Sequence, residues 1–352
     1  MLKHSYLQFI FGIRVFFSRL TPRNILRIIK FIVKRNILGK PIPFSVVLAL
    51  TYRCQCDCVH CSVGDYERKN NELATQEVKS LFDFIDSWGP LKVTFFGGEP
   101  LLRADIVELV RYAYRKGIRT SLDTNGILLD ERKVCALKKS GISNINVSID
   151  SHDGSKHDFL RKNKGCFEAA VRAIKLCVKH KVPCLVSTYA SRRAIKENDI
   201  EKIILLAKNT RAKGVKILFP ILSGKWREAQ EQRLDDQEKA YIERLLDPSF
   251  VYIEDALEMV KSRGKGCSAL SKNLIYVSPY GDIMPCPAIP LSFGNIRDGK
   301  MNEIIQKMYK HELFKKYKSC KNCLMNEDEF RRSFFYARSD KEMPLDVAEI
   351  KL

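Results

Sequence analysis

Residues 51–61 read Thr-Tyr-Arg-Cys-Gln-Cys-Asp-Cys-Val-His-Cys and follow directly on an apolar run that predicts a buried strand. In this stretch Cys54, Cys58 and Cys61 have the spacing C-x3-C-x2-C. Three thiolates on one short loop can hold three irons of a cubane iron–sulfur cluster and leave the fourth iron without a protein ligand. The spacing alone leaves two alternatives open: a structural zinc site that uses all four cysteines, and a four-cysteine cluster that includes Cys56.

The composition supports a metal site in a folded protein. The 352-residue chain is 45% hydrophobic and 29% charged, which is typical of a globular protein and excludes a mostly disordered one. No run of 18 uninterrupted apolar residues occurs, so no conventional membrane-spanning helix is predicted. Twelve cysteines are too dilute for a disulfide scaffold, and no secretion signal is recognisable, so we expect reduced thiols. Four scattered cysteines are predicted to be small buried hydrophobic residues: Cys135, Cys166, Cys177 and Cys184.

A second motif lies about 36 residues beyond the cysteine loop, where residues 93–100 read Val-Thr-Phe-Phe-Gly-Gly-Glu-Pro. Together the two motifs resemble those of the radical S-adenosylmethionine (SAM) superfamily, and the resemblance covers roughly residues 44–323. It implies that Gly97, Gly98 and Glu99 meet the amino group of SAM. Glycines permit a close approach of the backbone, and a carboxylate complements an ammonium group.

The middle of the chain alternates β-branched runs with helical patterns. Six strands are predicted, with a helix between each pair, at 44–51, 92–96, 118–122, 144–149, 182–188 and 214–220. This order predicts an α/β fold with a parallel sheet, and the resemblance implies an open (βα)6 partial barrel similar to a TIM barrel. Ligands in such folds bind at the carboxyl ends of the strands.

Polar residues at the ends of further strands are candidate SAM contacts. Asn125 follows the third strand, Ser148 and Asp150 end the fourth, and Ser187 ends the fifth as a weaker candidate. In similar enzymes such positions reach the ribose or the carboxylate of SAM, and Arg161 resembles an arginine that grips that carboxylate. The alternatives are a turn at Asn125, a helix cap at Asp150 and a solvated Arg161.

The C-terminal part holds a second group of cysteines. Residues 280–282, Tyr-Gly-Asp, predict a hairpin turn that brings Cys267 and Cys286 together, and Cys320 and Cys323 can complete a four-cysteine site. This pattern resembles the SPASM/twitch module of many radical SAM enzymes. No cysteine follows Cys323, which favours the shorter twitch form with one auxiliary [4Fe–4S] cluster. A four-thiolate zinc site is the alternative.

The N-terminal segment is unusually basic. The net charge is +20, and residues 1–53 hold ten basic side chains and no acidic one. On a helix capped by Thr21, an aliphatic face would lie beside a cationic stripe of Arg23, Arg27, Lys30 and Lys34. Residues 6–17 add further Phe and Ile. The pattern predicts either attachment to an anionic membrane surface through residues 1–40 or packing on the main domain; nucleic acid is not expected.

These observations predict four segments. We expect a basic amphipathic helical extension at 1–43, the radical SAM partial barrel at 44–235, a twitch-like module at 236–323 and a charged tail at 324–352.

The resemblance implies an enzyme that reductively cleaves SAM at a [4Fe–4S] cluster. The resulting 5′-deoxyadenosyl radical abstracts hydrogen from a C–H bond, and a flavodoxin or ferredoxin supplies the electron. The amphipathic N-terminus favours a lipid-like substrate and a cytoplasmic enzyme at the inner face of the cell membrane, and a ribosomally made peptide is the alternative substrate. Trp226 and Arg227 are possible substrate contacts. Two other classes stay open, a non-catalytic iron–sulfur protein that carries electrons and a basic zinc protein that binds nucleic acid.

Overall fold

A curved β-sheet forms the centre of the molecule. The computed structural model describes residues 20–247, 249–253, 267–317, 320, 323–334 and 343–349. Within these ranges the strands are β1 Ser45–Thr51, β2 Lys92–Gly97, β3 Arg119–Thr124, β4 Asn144–Ser148, β5 Cys184–Tyr189, β6 Gly214–Leu218, β7 Val251–Ile253, β8 Leu274–Val277, β9 Ile283–Met284, β10 Leu291–Ser292 and β11 Leu345–Asp346. The six predicted barrel strands are confirmed as β1 to β6, each within two residues of its expected bounds.

Helices connect the strands and cover the outer face of the sheet. They are α1 Pro22–Ile32, α2 Thr75–Trp88, α3 Ile106–Arg115, α4 Glu131–Ser140, α5 Gly154–Arg161, α6 Cys166–Lys179, α7 Arg192–Lys196, α8 Asp199–Asn209, α9 Asp236–Arg244, α10 Met301–Lys310, α11 Glu312–Lys316 and α12 Asp328–Phe334. A π-helical turn at Val33–Ile37 continues α1.

The sheet has the order β7-β6-β5-β4-β3-β2-β1-β8-β9. Strands β1 to β7 pair in parallel, β8 is parallel to β1, and β9 is antiparallel to β8. The short strand β7, only three residues long, was not predicted, because a run of that length carries no periodicity. The predicted hairpin at residues 274–285 is confirmed as β8 and β9.

The hydrophobic core lies between the sheet and its helices. Val46, Leu48 and Phe95 on β1 and β2 are fully buried, as are Phe82 on α2 and Ile174 on α6. Parallel strands that are covered on both faces are expected to be mostly apolar, and β1 shows this pattern. The core therefore holds the strands in a register that brings their carboxyl ends to one edge.

The inner face of the sheet is polar and strongly curved. Ser121 Oγ donates to Thr94 Oγ1 at 3.1 Å, and Asn146 Nδ2 donates to Asp123 Oδ1 at 2.5 Å. Lys216 Nζ on β6 lies 3.6 Å from Asp123 Oδ2 on β3, although two strands separate β3 from β6. Side chains would not meet across two intervening strands of a flat sheet, whose neighbours are ~4.8 Å apart. The sheet thus encloses a polar lumen, as in a partial barrel.

The described part of residues 324–352 packs on the rest of the molecule instead of forming a loose tail. Leu324, Met325 and Phe330 are buried, and β11 pairs in parallel with β10. The sequence did not indicate this, because residues 324–352 are charged and show little apolar periodicity. We propose that this segment belongs to the C-terminal module.

The predicted N-terminal helix is present as α1, and Thr21 Oγ1 caps it by accepting from the backbone N–H of Asn24 at 3.2 Å. The face that packs on the protein carries the buried Asn24 and Arg27 beside the half-buried Ile28 and Phe31, whereas its other aliphatic side chains are exposed. Arg27 is buried, with Nε donating to Pro90 O at 2.6 Å and Nη2 to Ile85 O at 2.7 Å. The expectation of one solvent-facing cationic stripe was therefore wrong for Arg27. Residues 1–19, including the Phe-rich stretch 6–17, lie outside the described residues. None of the described helices is long and apolar enough to cross a membrane.

Replacing Arg27 by alanine is expected to lower the free energy of unfolding by about 2–3 kcal/mol, because it removes charged hydrogen bonds to two backbone carbonyl groups that stay buried. Denaturant unfolding measures this. The matched control is Arg23→Ala, since Arg23 is exposed and makes one hydrogen bond, to Arg115 O at 2.7 Å; it should cost less than about 1 kcal/mol. Equal losses would show that the helix is not held by its polar face.

Candidate functional site

The cysteine loop follows β1 at the carboxyl edge of the sheet, as the sequence predicts. The carboxyl end of α5 holds its backbone: Asp57 N–H donates to Arg161 O at 3.1 Å and Val59 N–H to Leu160 O at 2.9 Å. Cys61 N–H donates to Cys58 O at 3.2 Å. These contacts fix the backbone from which the thiols project.

The thiols of the loop differ in how readily they ionise. A hydrogen bond with Cys56 and the positive charge of Arg161 outweigh burial and lower the pKa of Cys58 to about 6. A hydrogen bond with Cys56 also lowers the pKa of Cys54. Burial raises the pKa of Cys61 to about 11, so this thiol needs the charge of a bound metal to lose its proton near neutral pH.

Cys56 and Cys166 form a buried pair beside the loop, with their sulfurs 4.0 Å apart. The hydrogen bond with Cys166 raises the pKa of Cys56, so Cys56 stays a thiol that can donate to its neighbours. The sequence predicted Cys166 only as a small buried residue. It is buried, but it also belongs to the surroundings of the motif, and its place at the start of α6 gave no sign of this.

The glycine turn packs directly against the backbone of the cysteine loop. Gly98 N–H donates to Thr51 O at 2.8 Å, and Glu99 N–H donates to Arg53 O at 2.9 Å. A Cβ atom at Gly97 would lie 2.2 Å from Thr51 O, and one at Gly98 would lie 2.3 Å from Arg53 O. From the sequence, we expected these glycines to allow a close approach of SAM to the backbone. In the structure, the group that approaches them is the chain that enters the cysteine loop.

Glu99 joins the ends of β2 and β3. Its fully buried carboxylate accepts hydrogen bonds from Leu101 N–H at 3.1 Å, Thr124 Oγ1 at 2.9 Å and Asn125 N–H at 2.9 Å. Burial outweighs these bonds and raises the pKa of Glu99 to about 7. The carboxylate therefore has a structural role, because it links the turn after β2 to the end of β3.

Asn125 reaches from β3 to the cysteine loop. Its Nδ2 lies 3.3 Å from Gln55 Oε1, 3.7 Å from Cys54 Sγ and 3.6 Å from Cys56 Sγ. Its Oδ1 accepts from Ile127 N–H at 2.9 Å, in the turn that the sequence offered as the alternative. The residue thus makes both the turn and a contact with the loop.

Asp150 and Arg161 form a buried ion pair beside the loop. Arg161 Nε donates to Asp150 Oδ2 at 2.6 Å, and His60 Nε2 lies 3.2 Å from the same oxygen. Burial alone would raise the pKa of Asp150, but the charges of Arg161 and His60 hold it well below its usual range. Asp150 Oδ1 is buried and has no hydrogen-bond partner among the described residues. Ser148 pairs in register with Ser187 at the ends of β4 and β5.

The loop after β6, residues 220–227, connects the cysteine loop with the C-terminal module. Lys225 N–H donates to Cys61 O at 3.0 Å, and a Cβ at Gly224 would lie 2.1 Å from that oxygen. Asn326 Nδ2 donates to Pro220 O at 3.1 Å. Sequence analysis missed this connection, because nothing in the spacing of residues 220–227 relates them to either cysteine group.

Trp226 and Arg227, predicted as possible substrate contacts, both have protein partners. The Trp226 ring packs against those of His60 and Tyr189, with centroids 5.6 and 5.5 Å apart. The Arg227 guanidinium is paired with Asp65. Their observed contacts serve to hold the loop in place.

The C-terminal cysteines flank the β8–β9 hairpin and follow α11. Cys267, Cys286, Cys320 and Cys323 are all half-buried and pack against the main hydrophobic core. In the described ranges, which include all seven predicted ligands, no three His, Cys, Asp or Glu side chains converge closely enough to hold a single metal ion. A zinc ion needs its thiolates about 2.3 Å from one point, whereas a cubane cluster offers a separate iron to each thiolate.

Comparison with known proteins agrees with the geometry. The family model described as "Radical SAM superfamily" matches residues 48–207, and the SPASM model, "Iron-sulfur cluster-binding domain", matches residues 267–324. The AdoMet-dependent heme synthase of Methanosarcina barkeri (strain Fusaro / DSM 804) is 31% identical over 288 residues, which are 74% of this chain and 82% of the relative. The enzyme of the same name from Oleidesulfovibrio alaskensis is 25% identical over 309 residues, 80% of this chain and 78% of the relative.

The chain belongs to the radical SAM superfamily.

The fold is shared with solved structures of this superfamily. Streptococcus suis SuiB bound to the precursor peptide SuiA has a TM-score of 0.66 and 16% identity, and the match covers 84% of this chain and 75% of SuiB. The radical SAM domain uses a [4Fe–4S] cluster and SAM, and the SPASM domain binds auxiliary iron–sulfur clusters. The predicted enzyme class, cofactors and fold are thus confirmed.

The side chains of the cysteine loop and its surroundings are chemically suited to bind a [4Fe–4S] cluster and SAM. The cysteine loop supplies three thiol sulfurs, and buried polar atoms without a partner among the described residues, Asp150 Oδ1 and Gln55 Nε2, lie on or beside it. Arg161 brings a buried positive charge to the same place. A charged molecule with amino, carboxylate and hydroxyl groups would find complementary partners here.

The raised pKa of Glu99 predicts a pH-dependent stability. Because the folded protein holds this proton up to about pH 7 and the unfolded chain releases it near pH 4.5, stability falls as the pH rises through this window, by at most about 1.4 kcal/mol per pH unit. Glu99→Gln cannot titrate, so its unfolding free energy should fall less than that of the wild type between pH 5 and 7. Denaturation at each pH measures the difference, and parallel profiles would contradict the prediction.

Proposed function

We propose that this radical SAM enzyme cleaves SAM at a [4Fe–4S] cluster held by Cys54, Cys58 and Cys61, and that its substrate occupies the polar lumen of the barrel. The observation that carries the proposal is the direct contact between the cysteine loop and the glycine turn. Two motifs 36 residues apart in sequence share backbone hydrogen bonds at one edge of the sheet.

When bound, the cluster and SAM supply reductive cleavage of a carbon–sulfur bond and a 5′-deoxyadenosyl radical that abstracts hydrogen from the substrate. The protein positions the cluster and SAM. We propose that Gly97, Gly98 and Glu99 receive the amino group of SAM and that Arg161, held by Asp150, receives its carboxylate. Asn125 and Ser148 would contact its remaining polar groups.

We propose a polar substrate with carboxylate groups. The ion pair of Lys216 and Asp123 in the lumen gives such a substrate a cation to bind, together with amide groups such as that of Asn146. A heme precursor is the first candidate, because two relatives are named AdoMet-dependent heme synthase and heme itself carries carboxylate side chains. A peptide has weaker support, since the likeness to SuiB at 16% identity concerns the fold.

A lipid-like substrate, which the sequence favoured, has less support than a polar one. That hypothesis assumed that the amphipathic N-terminus brings the active site to the membrane. However, α1 contacts residues 85–91 and 115–117, which precede β2 and β3, whereas the cysteine loop follows β1. The helix and the site thus lie at opposite ends of the parallel strands. A peripheral membrane location stays a proposal, separate from the substrate.

We propose that Cys267, Cys286, Cys320 and Cys323 hold one auxiliary [4Fe–4S] cluster. The loop 220–227 supports a role coupled to the first cluster, because it contacts the backbone of Cys61 and of the segment after Cys323. An enzyme of this superfamily needs a reductant, and we propose a small electron carrier such as a flavodoxin or ferredoxin. The non-catalytic alternative is not supported, because the chain matches the radical SAM family and its relatives are named as enzymes, AdoMet-dependent heme synthases.

Anaerobically reconstituted protein is expected to hold about eight irons and to form 5′-deoxyadenosine from SAM and reductant. Cys58→Ala should lose about four irons and all cleavage, because one thiolate of the first cluster is gone. Cys320→Ala should also lose about four irons but still cleave SAM. Cys135→Ala, a cysteine outside both groups, is the control and should match the wild type. Cleavage by Cys58→Ala would refute the assignment of the first cluster.

Lys216→Gln is expected to weaken binding of heme, used as a stand-in for its precursor, by ~10-fold or more, since a charged hydrogen bond contributes about 1.5–3 kcal/mol. Titration of the heme absorption band measures the affinity. Lys213→Gln is the matched control, because Lys213 is exposed and precedes β6. Equal affinities of the two variants would remove the lumen as the carboxylate site without affecting the assignment of the first cluster.

A further inference from the structure

Helix α1 is amphipathic, but most of its aliphatic side chains face away from the protein, and only Ile28 and Phe31 are half-buried against it. Its polar side chains bind the backbone of the protein below it: Asn24 Nδ2 donates to Gly117 O at 2.8 Å, and Arg27 donates to Ile85 O and Pro90 O. In the π-helical turn, Lys34 Nζ donates to Ser87 O at 2.6 Å. An amphipathic helix normally buries its apolar face and leaves the polar one to water.

The aliphatic face of α1 and its π-helical turn is consequently exposed. It consists of Ile25, Leu26, Ile29, Ile32, Val33, Ile37 and Leu38. These seven are the majority of the large hydrophobic side chains that are exposed in the described part of the chain. Contiguous exposed apolar surface of this kind marks an interaction site.

The surroundings of this aliphatic face are basic. In a parallel barrel, the segments that lead into the strands lie at one end, and α1 packs on that end. The four segments 115–118, 138–143, 179–183 and 208–213, which lead into β3, β4, β5 and β6, contain no Asp or Glu. They carry nine cations: Arg115, Lys116, Lys138, Lys139, Lys179, Lys181, Lys208, Arg211 and Lys213. All of these except the half-buried Lys116 are exposed.

Helix dipoles favour some of these cations, because the segments follow helix C-termini. That effect does not produce an exposed aliphatic face at the same end. Among these cations, Lys116 is partly neutralised by Asp83 and Lys179 by Glu131. The combination of an aliphatic strip and a surrounding excess of positive charge is that of a surface that binds anionic lipids.

We infer that the chain docks on an anionic phospholipid bilayer through the aliphatic face of α1 and the nine basal cations. The charges favour a bilayer over a second copy, because symmetric contact of two such faces would bring their cations together. In this orientation the carboxyl edge of the sheet, with the cysteine loop, points away from the bilayer. The docking surface thus fixes the enzyme at a membrane while its lumen stays open to polar substrates.

The full-length protein is to be mixed with vesicles of phosphatidylcholine containing 30% phosphatidylglycerol, and with vesicles of phosphatidylcholine alone, and sedimented. Binding is expected to the anionic vesicles, to weaken with salt, and to be at least tenfold weaker to the neutral ones. Leu26→Glu and Leu26→Glu/Ile29→Glu should weaken it progressively, the double variant at least tenfold. Lys138→Glu/Lys139→Glu should weaken it too, without touching the aliphatic face.

The matched control is Leu205→Glu, because Leu205 on α8 is 57% exposed and Leu26 is 59% exposed. It should bind anionic vesicles within about twofold of the wild type. Iron content and unfolding transitions show whether each variant is folded. If a Leu26 variant is misfolded, vesicle binding by the Lys138→Glu/Lys139→Glu variant tests the inference instead.

Two results would overturn the inference. One is that the wild-type protein does not bind anionic vesicles, which would be expected if residues 1–19 covered the aliphatic face. The other is a wild-type dimer that Leu26→Glu converts to a monomer while vesicle binding is unchanged, which would assign the face to a second copy.

Discussion

The active-site end of this enzyme depends on a contact between two stretches of backbone. The turn after β2 lies so close to the chain leaving β1 that a Cβ at Gly98 would be 2.3 Å from Arg53 O. No side chain fits there, and the hydrogen bonds from Gly98 and Glu99 to the residues before Cys54 need this distance. The contact sets the position of the cysteine loop relative to the sheet. The positions of Glu99 and of Asn125, which contacts both Glu99 and the loop, depend on this contact.

Buried charge organises the other side of the loop. Asp150 at the end of β4 is held ionised by Arg161 and His60, and Arg161 also lowers the pKa of Cys58. A buried carboxylate with an uncompensated oxygen is costly in a protein whose sole requirement is stability. Its presence beside three thiols agrees with a site that receives a polar, charged ligand. The same principle applies in the lumen, where Lys216 is buried against Asp123.

We propose separate roles for the two ends of the barrel. The carboxyl edge carries the cysteine loop, the glycine turn and the loop 220–227 that leads to the C-terminal module. The opposite end carries α1 and the basal cations. This separation changes the substrate hypothesis, because the proposed membrane-binding surface lies far from the lumen and so gives no preference for a lipid-like substrate. It also means that changes at either end can be tested without disturbing the other.

The sequence by itself determined the family, the six central strands and the cysteine groups, because these depend on local patterns: cysteine spacing, glycines at a turn, and alternating apolar segments. It did not determine strand β7 or the packing of residues 324–334, whose short apolar stretches have no periodicity. It also missed the place of Cys166 and His60 beside the cysteine loop and the backbone contact of the loop 220–227 with Cys61, which arise only through long-range packing. Above all, the sequence showed that α1 is amphipathic but not which face it buries. Only the tertiary structure decided that, because carbonyl groups at the base of the barrel bind Arg27 and Asn24 more favourably than they could bind an aliphatic face.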